Sequence, residues 1–292
     1  QQIAASPITV DGQKTTPVAW DSGCLEEVCG ACTMVINGKT RQSCSCLIDE
    51  YAPNEGDEIT LEPMSKFPVV RDLWVDRARL FDALKRVKAW VPIDGTYSLG
   101  AGPRESAEQS ESRYVMSTCM SCGCCLEACP QYQLEENPEK WPTSFIGAHA
   151  MNQARLFNEH ATGAVLKGAR LDTLMGEGGV NDCGNAQNCV QVCPKHIPLT
   201  ESIAAIGRAV TLHGFARFFR NSTRTFFFFD PIKSPAVRTD TSCTIRDRPP
   251  ARQPGSPRMI PALLRPLAIR LTAVVWPSAD AFATNSVAMA PL

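Results

Sequence analysis

The first part of the chain carries short runs in which apolar and polar residues alternate, the pattern of strands with one buried face. They predict strands over 15–20, Thr33–Ile36, 39–48 and 58–61, with Asn37-Gly38 as the hairpin turn between the second and third. From 72 to 89 the period changes: Leu73, Leu80, Phe81, Leu84 and Val87 recur at helical spacing until Pro92 stops them. Residues 100–112, rich in Gly, Ser and Glu, read as a surface connection. Helical periodicity returns over 151–157, 164–175 and 199–212, the last with Pro198 just ahead of it and Ile203, Ile206 and Val210 as its stripe. The expected class is α+β, with a small sheet domain over 1–70 and a mainly helical domain over 71–232.

After Ile232 the periodicity dissolves. The last 60 residues hold nine prolines and eight Lys or Arg against three Asp and no Glu, a net +5 that leaves −6 on the rest. Residues 233–292 are expected to be a flexible basic tail without a packed core of its own.

Composition narrows the chemistry. A chain of 292 residues with 44% hydrophobic content fills real cores, which excludes disorder throughout. With 29 Lys+Arg against 30 Asp+Glu, no global charge draws it to nucleic acid, and no nucleic-acid partner is expected. The most apolar stretch, 259–276, is broken by Pro261, Arg265, Pro266 and Arg270, so no membrane span is expected. Residues 1–20 lack the features of a secretory signal, and a reducing compartment follows as the expectation. Fourteen cysteines are too dilute for a disulfide scaffold and too many for packing alone, which points to metal or redox chemistry.

The cysteines fall into three blocks. Cys24, Cys29 and Cys32 are spaced as in plant-type [2Fe-2S] ferredoxins, with Cys44 or Cys46 available as the fourth thiolate. Gly23, Gly30 and Ala31 suit a loop that must aim backbone N–H groups at an anionic cluster. A structural zinc site favours two short knuckles over this spacing. Cys119, Cys122, Cys125 and Cys129 followed by Pro130 match the bacterial ferredoxin run. Cys183, Cys189, Cys193 and Pro194 repeat that run with Ala186 in the second ligand position. In two-cluster ferredoxins the fourth Cys of each run ligates the other cluster. Cys119, Cys122, Cys125 and Cys193 then hold a [4Fe-4S] cluster, while Cys129, Cys183 and Cys189 supply three thiolates and imply [3Fe-4S]. Cys124 reads as a packed thiol, Cys243 as an exposed one, and His149, His160, His196 and His213 as surface or satisfied core residues. No nucleophile–base set, phosphate loop or carboxylate pair is present, so the chain is expected to move electrons and leave bond chemistry to a partner.

One plant-type [2Fe-2S] module followed by a helical [4Fe-4S]/[3Fe-4S] module resembles the iron-sulfur subunit of succinate dehydrogenase, over residues 7–220. The stretches Cys24-Leu25-Glu26-Glu27-Val28-Cys29-Gly30-Ala31-Cys32, Phe67-Pro68-Val69-Val70-Arg71-Asp72-Leu73 and the run from Asp182 to Lys195 carry the resemblance most clearly. It implies a β-grasp fold for the first module and a bacterial-ferredoxin-like second module. It also implies Cys44 over Cys46 and Cys125 over Cys124 as ligands. Further implications are a FAD-containing flavoprotein partner, a cytochrome b membrane anchor, a quinone acceptor near Pro130, and a place on the cytoplasmic face of the cell membrane. Gln131-Tyr132-Gln133-Leu134 and Gly184 stand where ubiquinone-reducing members carry Trp and His, which favours the menaquinone-type enzymes. Quinol:fumarate reductases share every ligand, and a zinc-thiolate interaction protein is the alternative from another class. The family carries a further stretch before the counterpart of Pro7, so the first module is expected to be incomplete here, and the basic tail has no counterpart.

Overall fold

The computed structural model describes residues 7–8, 12–54, 57–92, 104–227 and 269–272, with side chains up to residue 220. Thr33–Ile36 (β1) and Lys39–Gln42 (β2) form an antiparallel hairpin in the register Val35 opposite Thr40. Its turn places Asn37 and Gly38 at φ +47° and +75°, the left-handed values a two-residue hairpin needs. Glu58–Glu62 (β3) pairs with β1 through Ile36 opposite Leu61. Ile269–Thr272 (β6) lies antiparallel along the other edge of β3, so the sheet runs β2-β1-β3-β6. The tail, expected to be flexible and without a packed core of its own, contributes a strand to the sheet at this point. Its remaining residues, Cys243 included, lie outside the described ones.

One expected strand is absent and one is shorter. Residues 15–20 join no ladder: Ala19 donates to Asp72 Oδ2 at 2.8 Å, and Leu73 donates to the Ala19 carbonyl at 3.0 Å. The strand expected over 39–48 ends at Gln42, where a 3₁₀ turn over Ser43–Ser45 leads to the single-turn helix Ile48–Tyr51 (α1). Met34, Ile36, Ala52, Ile59 and Leu73 form the core of this part.

Val69–Arg71 (β4) and Trp74–Val75 (β5) make a small hairpin ahead of Ala78–Arg86 (α2). The expected helix over 72–89 therefore starts later, because Leu73 is committed to the sheet core. Ala107–Ser117 (α3) lies where a surface connection was expected. Its N-cap is Ser106, whose Oγ accepts from Gln109 N at 3.2 Å, the first half of a capping box.

Cys124–Glu127 (α4), Gly147–Glu159 (α5), Lys167–Met175 (α6), Asn188–Gln191 (α7) and Leu199–Phe227 (α8) complete the order. A core of Ala83, Val87, Ile146, Met151, Leu171, Leu174, Ile206 and Val210 holds α2, α5, α6 and α8 together. The second core mixes Met64, Phe67, Val75 and Leu80 with Cys125, Cys189 and Cys193, so the link after β3 is packed into the helical part. Glu127 fixes that link by accepting from Ser65 N at 2.8 Å and Lys66 N at 3.0 Å.

Candidate iron-sulfur centres

The loop from Cys24 to Ala31 wraps its own sulfurs in backbone donors. The N–H groups of Glu26, Val28 and Cys29 each donate to Cys24 Sγ at 3.3 Å. Those of Cys24 and Ala31 donate to Cys29 Sγ at 3.4 Å, and that of Glu27 to Cys44 Sγ at 3.3 Å. Leu25, Glu27 and Gly30 take positive φ values of +61°, +54° and +69°, which turns successive N–H groups inward. Strain at two non-glycine residues is a local cost that a built site sustains. The backbone hydrogen bonds, first that from Glu26, pull the Cys24 thiol down to about 7, toward the thiolate that a metal ligand must be.

Cys44 interacts with Cys32 and Cys24 across this loop. Cys46 faces Arg41 and Glu50 instead and packs on the sheet core, where burial pushes its thiol up. The structure therefore brings Cys24, Cys29, Cys32 and Cys44 together and leaves Cys46 outside.

The two later runs fold alike, position for position. Ser121 and Asn185 both have φ +52°, Gly123 and Gln187 have φ +90° and +62°, and α4 and α7 follow at the same offset. Ala186 occupies the place of Cys122. Around one concavity stand Cys119, Cys122, Cys125 and Cys193, together with Cys124 and His149. Around a second stand Cys129, Cys183 and Cys189 with Ala186, Pro130 and Gln131. Each run thus sends its last cysteine to the other run's concavity. Cys124 is fully buried, accepts from Gln42 Nε2 at 3.3 Å, and gives its own hydrogen bond to Cys122. That bond holds Cys122 at about 7, while Cys124 rises well above its ordinary range.

These donor sets fit inorganic clusters. The thiols ring concavities whose walls also carry apolar side chains, Ile197 and Leu199 around one and Phe145 and Ile203 around the other.

The first and second centres meet at a seam that the cysteine spacing did not announce. A Cβ on Gly30 would lie 2.7 Å from the Cα of Cys122, so the two loops touch through backbone. Arg77 donates to the Gly30 carbonyl at 2.6 Å and to that of Ala31, and Thr33 Oγ1 also donates to Gly30 at 2.8 Å. Sequence reasoning missed Arg77 and Gln42, whose roles need the fold. It also took every histidine as surface or satisfied. His149 is 1% exposed, and neither ring nitrogen has a hydrogen-bond partner. Burial lowers its pKa to about 4 and keeps the imidazole neutral.

Comparison with known proteins agrees with these centres. Residues 4–82 match a 2Fe-2S iron-sulfur cluster binding domain, and residues 115–197 a 4Fe-4S dicluster domain. The chain is 57% identical over 218 residues to the succinate dehydrogenase iron-sulfur subunit of Bacillus subtilis, covering 75% of this chain and 82% of that one. It is 30% identical over 195 residues to the fumarate reductase iron-sulfur subunit of Haemophilus influenzae, covering 62% and 70%. The fold is similar to a chain of the Mycobacterium smegmatis Sdh1 complex in the apo form, with TM-score 0.56, 22% identity, and 68% and 79% covered. This chain belongs to the family of iron-sulfur subunits of succinate dehydrogenase and fumarate reductase.

Proposed function

We propose that this chain is the electron-transfer subunit of a succinate dehydrogenase, relaying electrons from the FAD of a flavoprotein subunit to a membrane quinone. Cys24, Cys29, Cys32 and Cys44 would hold [2Fe-2S]; Cys119, Cys122, Cys125 and Cys193 would hold [4Fe-4S]; Cys129, Cys183 and Cys189 would hold [3Fe-4S]. Such clusters, when bound, take up and release one electron at a time. The chain's part is to fix their order and set their potentials through N–H donors to sulfur.

The observation that carries this reading is the backbone contact of Gly30 with Cys122. It brings the first thiol set against the second, while the exchange of Cys129 and Cys193 interleaves the second with the third. The two cluster-bearing parts, expected at 1–70 and 71–232, join through the β4–β5 hairpin, whose first strand Val69–Arg71 spans that boundary. At the far end Pro130 lines the third concavity, and the Gln131 side chain fills the space beside Gly184. This is the surface we assign to the quinone side, with menaquinone the fitting acceptor. Among the described residues no helix is long and apolar enough to cross a membrane. By the family resemblance we assign membrane attachment to a cytochrome b anchor at the cytoplasmic face.

Electron paramagnetic resonance of the purified complex, oxidised and dithionite-reduced, tests the reading by counting cluster types. Three distinct signals, with iron and acid-labile sulfide, are expected. A colourless, zinc-loaded protein would overturn it. The resemblance to fumarate reductase subunits supports a second reading, the same relay run in reverse, and the measured cluster potentials distinguish the two directions.

A further inference from the structure

We infer that the His149 imidazole donates a ring N–H to sulfur of the cluster held by Cys119, Cys122, Cys125 and Cys193, and thereby raises that cluster's potential. This rests on the assignment of those four thiols made above.

His149 is a buried polar group without a hydrogen-bond partner in the protein. A neutral imidazole carries one N–H, and leaving it buried without an acceptor costs most of its lost hydration. His149 lies on α5 at 1% exposure with both nitrogens unpartnered, yet it lines the concavity ringed by the four thiols. Ile197 and Leu199 on the same wall offer no side-chain acceptor, and the Lys195 ammonium has no lone pair to give. Ser121 brings a hydroxyl to this wall, but neither His149 nitrogen bonds to it or to any other protein atom. The acceptor that remains for the ring N–H is sulfur of the cluster those four thiols would hold.

A second observation on the same helix points the same way. Gln153 lies one turn after His149, on the same face, and its side chain hydrogen-bonds Cys119. Helix α5 is itself held in place: Asn152 donates to the Met116 carbonyl at 3.1 Å and accepts from Ser202 at 3.1 Å. A rigid face therefore presents two side-chain donors to one cluster. Reduction adds negative charge to the sulfurs, so an N–H donor stabilises the reduced state more than the oxidised one.

The test uses the assembled complex with histidine labelled by heavy nitrogen and reduced with dithionite. Pulsed paramagnetic resonance should show labelled nitrogen coupled to the four-iron spin. His149→Gln should abolish that coupling while keeping a donor and most of the potential. His149→Leu should lose both, with about a tenfold change in the oxidised-to-reduced ratio at fixed ambient potential, or about 59 mV for a one-electron couple. His196 follows Cys193 closely in sequence, so His196→Asn is the control and should leave the coupling in place. A four-iron signal without histidine coupling, or with coupling that survives His149→Gln, overturns the inference and leaves the cluster assignment standing. Absence of any four-iron signal in the unsubstituted complex overturns both. If His149→Leu does not assemble, the labelled wild-type and His149→Gln spectra decide.

Discussion

Replacing Gly30 by alanine probes the seam between the first two centres, and the structure supplies both parts of the expected cost. Gly30 has φ +69°, a left-handed value that costs an L side chain about 1–2 kcal/mol. The new Cβ would also lie 2.7 Å from both Cα and Cβ of Cys122, about 1 Å inside ordinary carbon contact. Neither atom is the free end of a flexible side chain, so the Cys122 loop itself must shift, an overpacking cost of about 1–3 kcal/mol. Together these give about 2–5 kcal/mol. At about 2–4 °C per kcal/mol for a domain of this size, melting should fall by roughly 4–20 °C. Gly38 is the internal control: its φ is +75°, but nothing lies within 4 Å of its Cβ position. Gly38→Ala therefore carries the conformational cost alone. Thermal unfolding followed by circular dichroism, with cluster absorbance recorded alongside, compares the two variants. If Gly30→Ala melted within about 1 °C of Gly38→Ala, the loops would not be in contact and the reasoning would fail.

Ala186→Cys should give the third set its missing thiolate and convert a three-iron cluster to a four-iron one of lower potential; persistence of the three-iron signal in the oxidised complex would refute the assignment. Cys44→Ser should alter the spectrum of the [2Fe-2S] centre alone and Cys46→Ser should leave it unchanged, which resonance of the reduced complex checks. Asp172 accepts from His213 at 2.9 Å and from Arg217 at 2.8 Å, and these partners, His213 foremost, hold its carboxyl below the ordinary 3.8. Since the folded value is the lower one, the contribution is present above pH 3.8 and is lost as pH falls through the folded value. Asp172→Asn should therefore flatten the acid limb of a plot of urea midpoint against pH.

Sequence periodicity reads best where one element has one buried face. β1, its Asn37-Gly38 turn and β3 were legible for that reason. The stretch over 15–20 has the same pattern, yet Thr15 donates to the Pro7 carbonyl and Ala19 bonds to Asp72 and Leu73, pairings no local pattern encodes. Leu73 misled in the opposite way: it fits the helical repeat of Leu80 and Leu84, but Asp72 at φ +48° sits in the tight turn between β4 and β5 and sends Leu73 to the sheet core. Helix α3 was missed although Ser106 and Gln109 spell a capping signal, because the Gly, Ser and Glu composition around them outweighed it.

The cysteine runs were legible for a different reason. A cluster fixes the spacing of its ligands along the chain, and the backbone needed to reach them recurs wherever the spacing recurs. Ser121 and Gly123 repeat as Asn185 and Gln187 with the same sign of φ, although three of those four residues are not glycine. The preserved conformation at Gln187 implies that the loop is shaped by its ligand geometry and not by glycine's freedom alone. On that argument Ala186 stands in a loop already formed for a fourth ligand, and it lines the same concavity as Cys129, Cys183 and Cys189. What the spacing could not encode is everything perpendicular to the chain. Arg77 across the Gly30 seam, Gln42 on Cys124 and His149 in the wall of the second thiol set's concavity each come from another element. Their placement follows from packing, and the same thiolates with different neighbours would hold their electrons at different potentials.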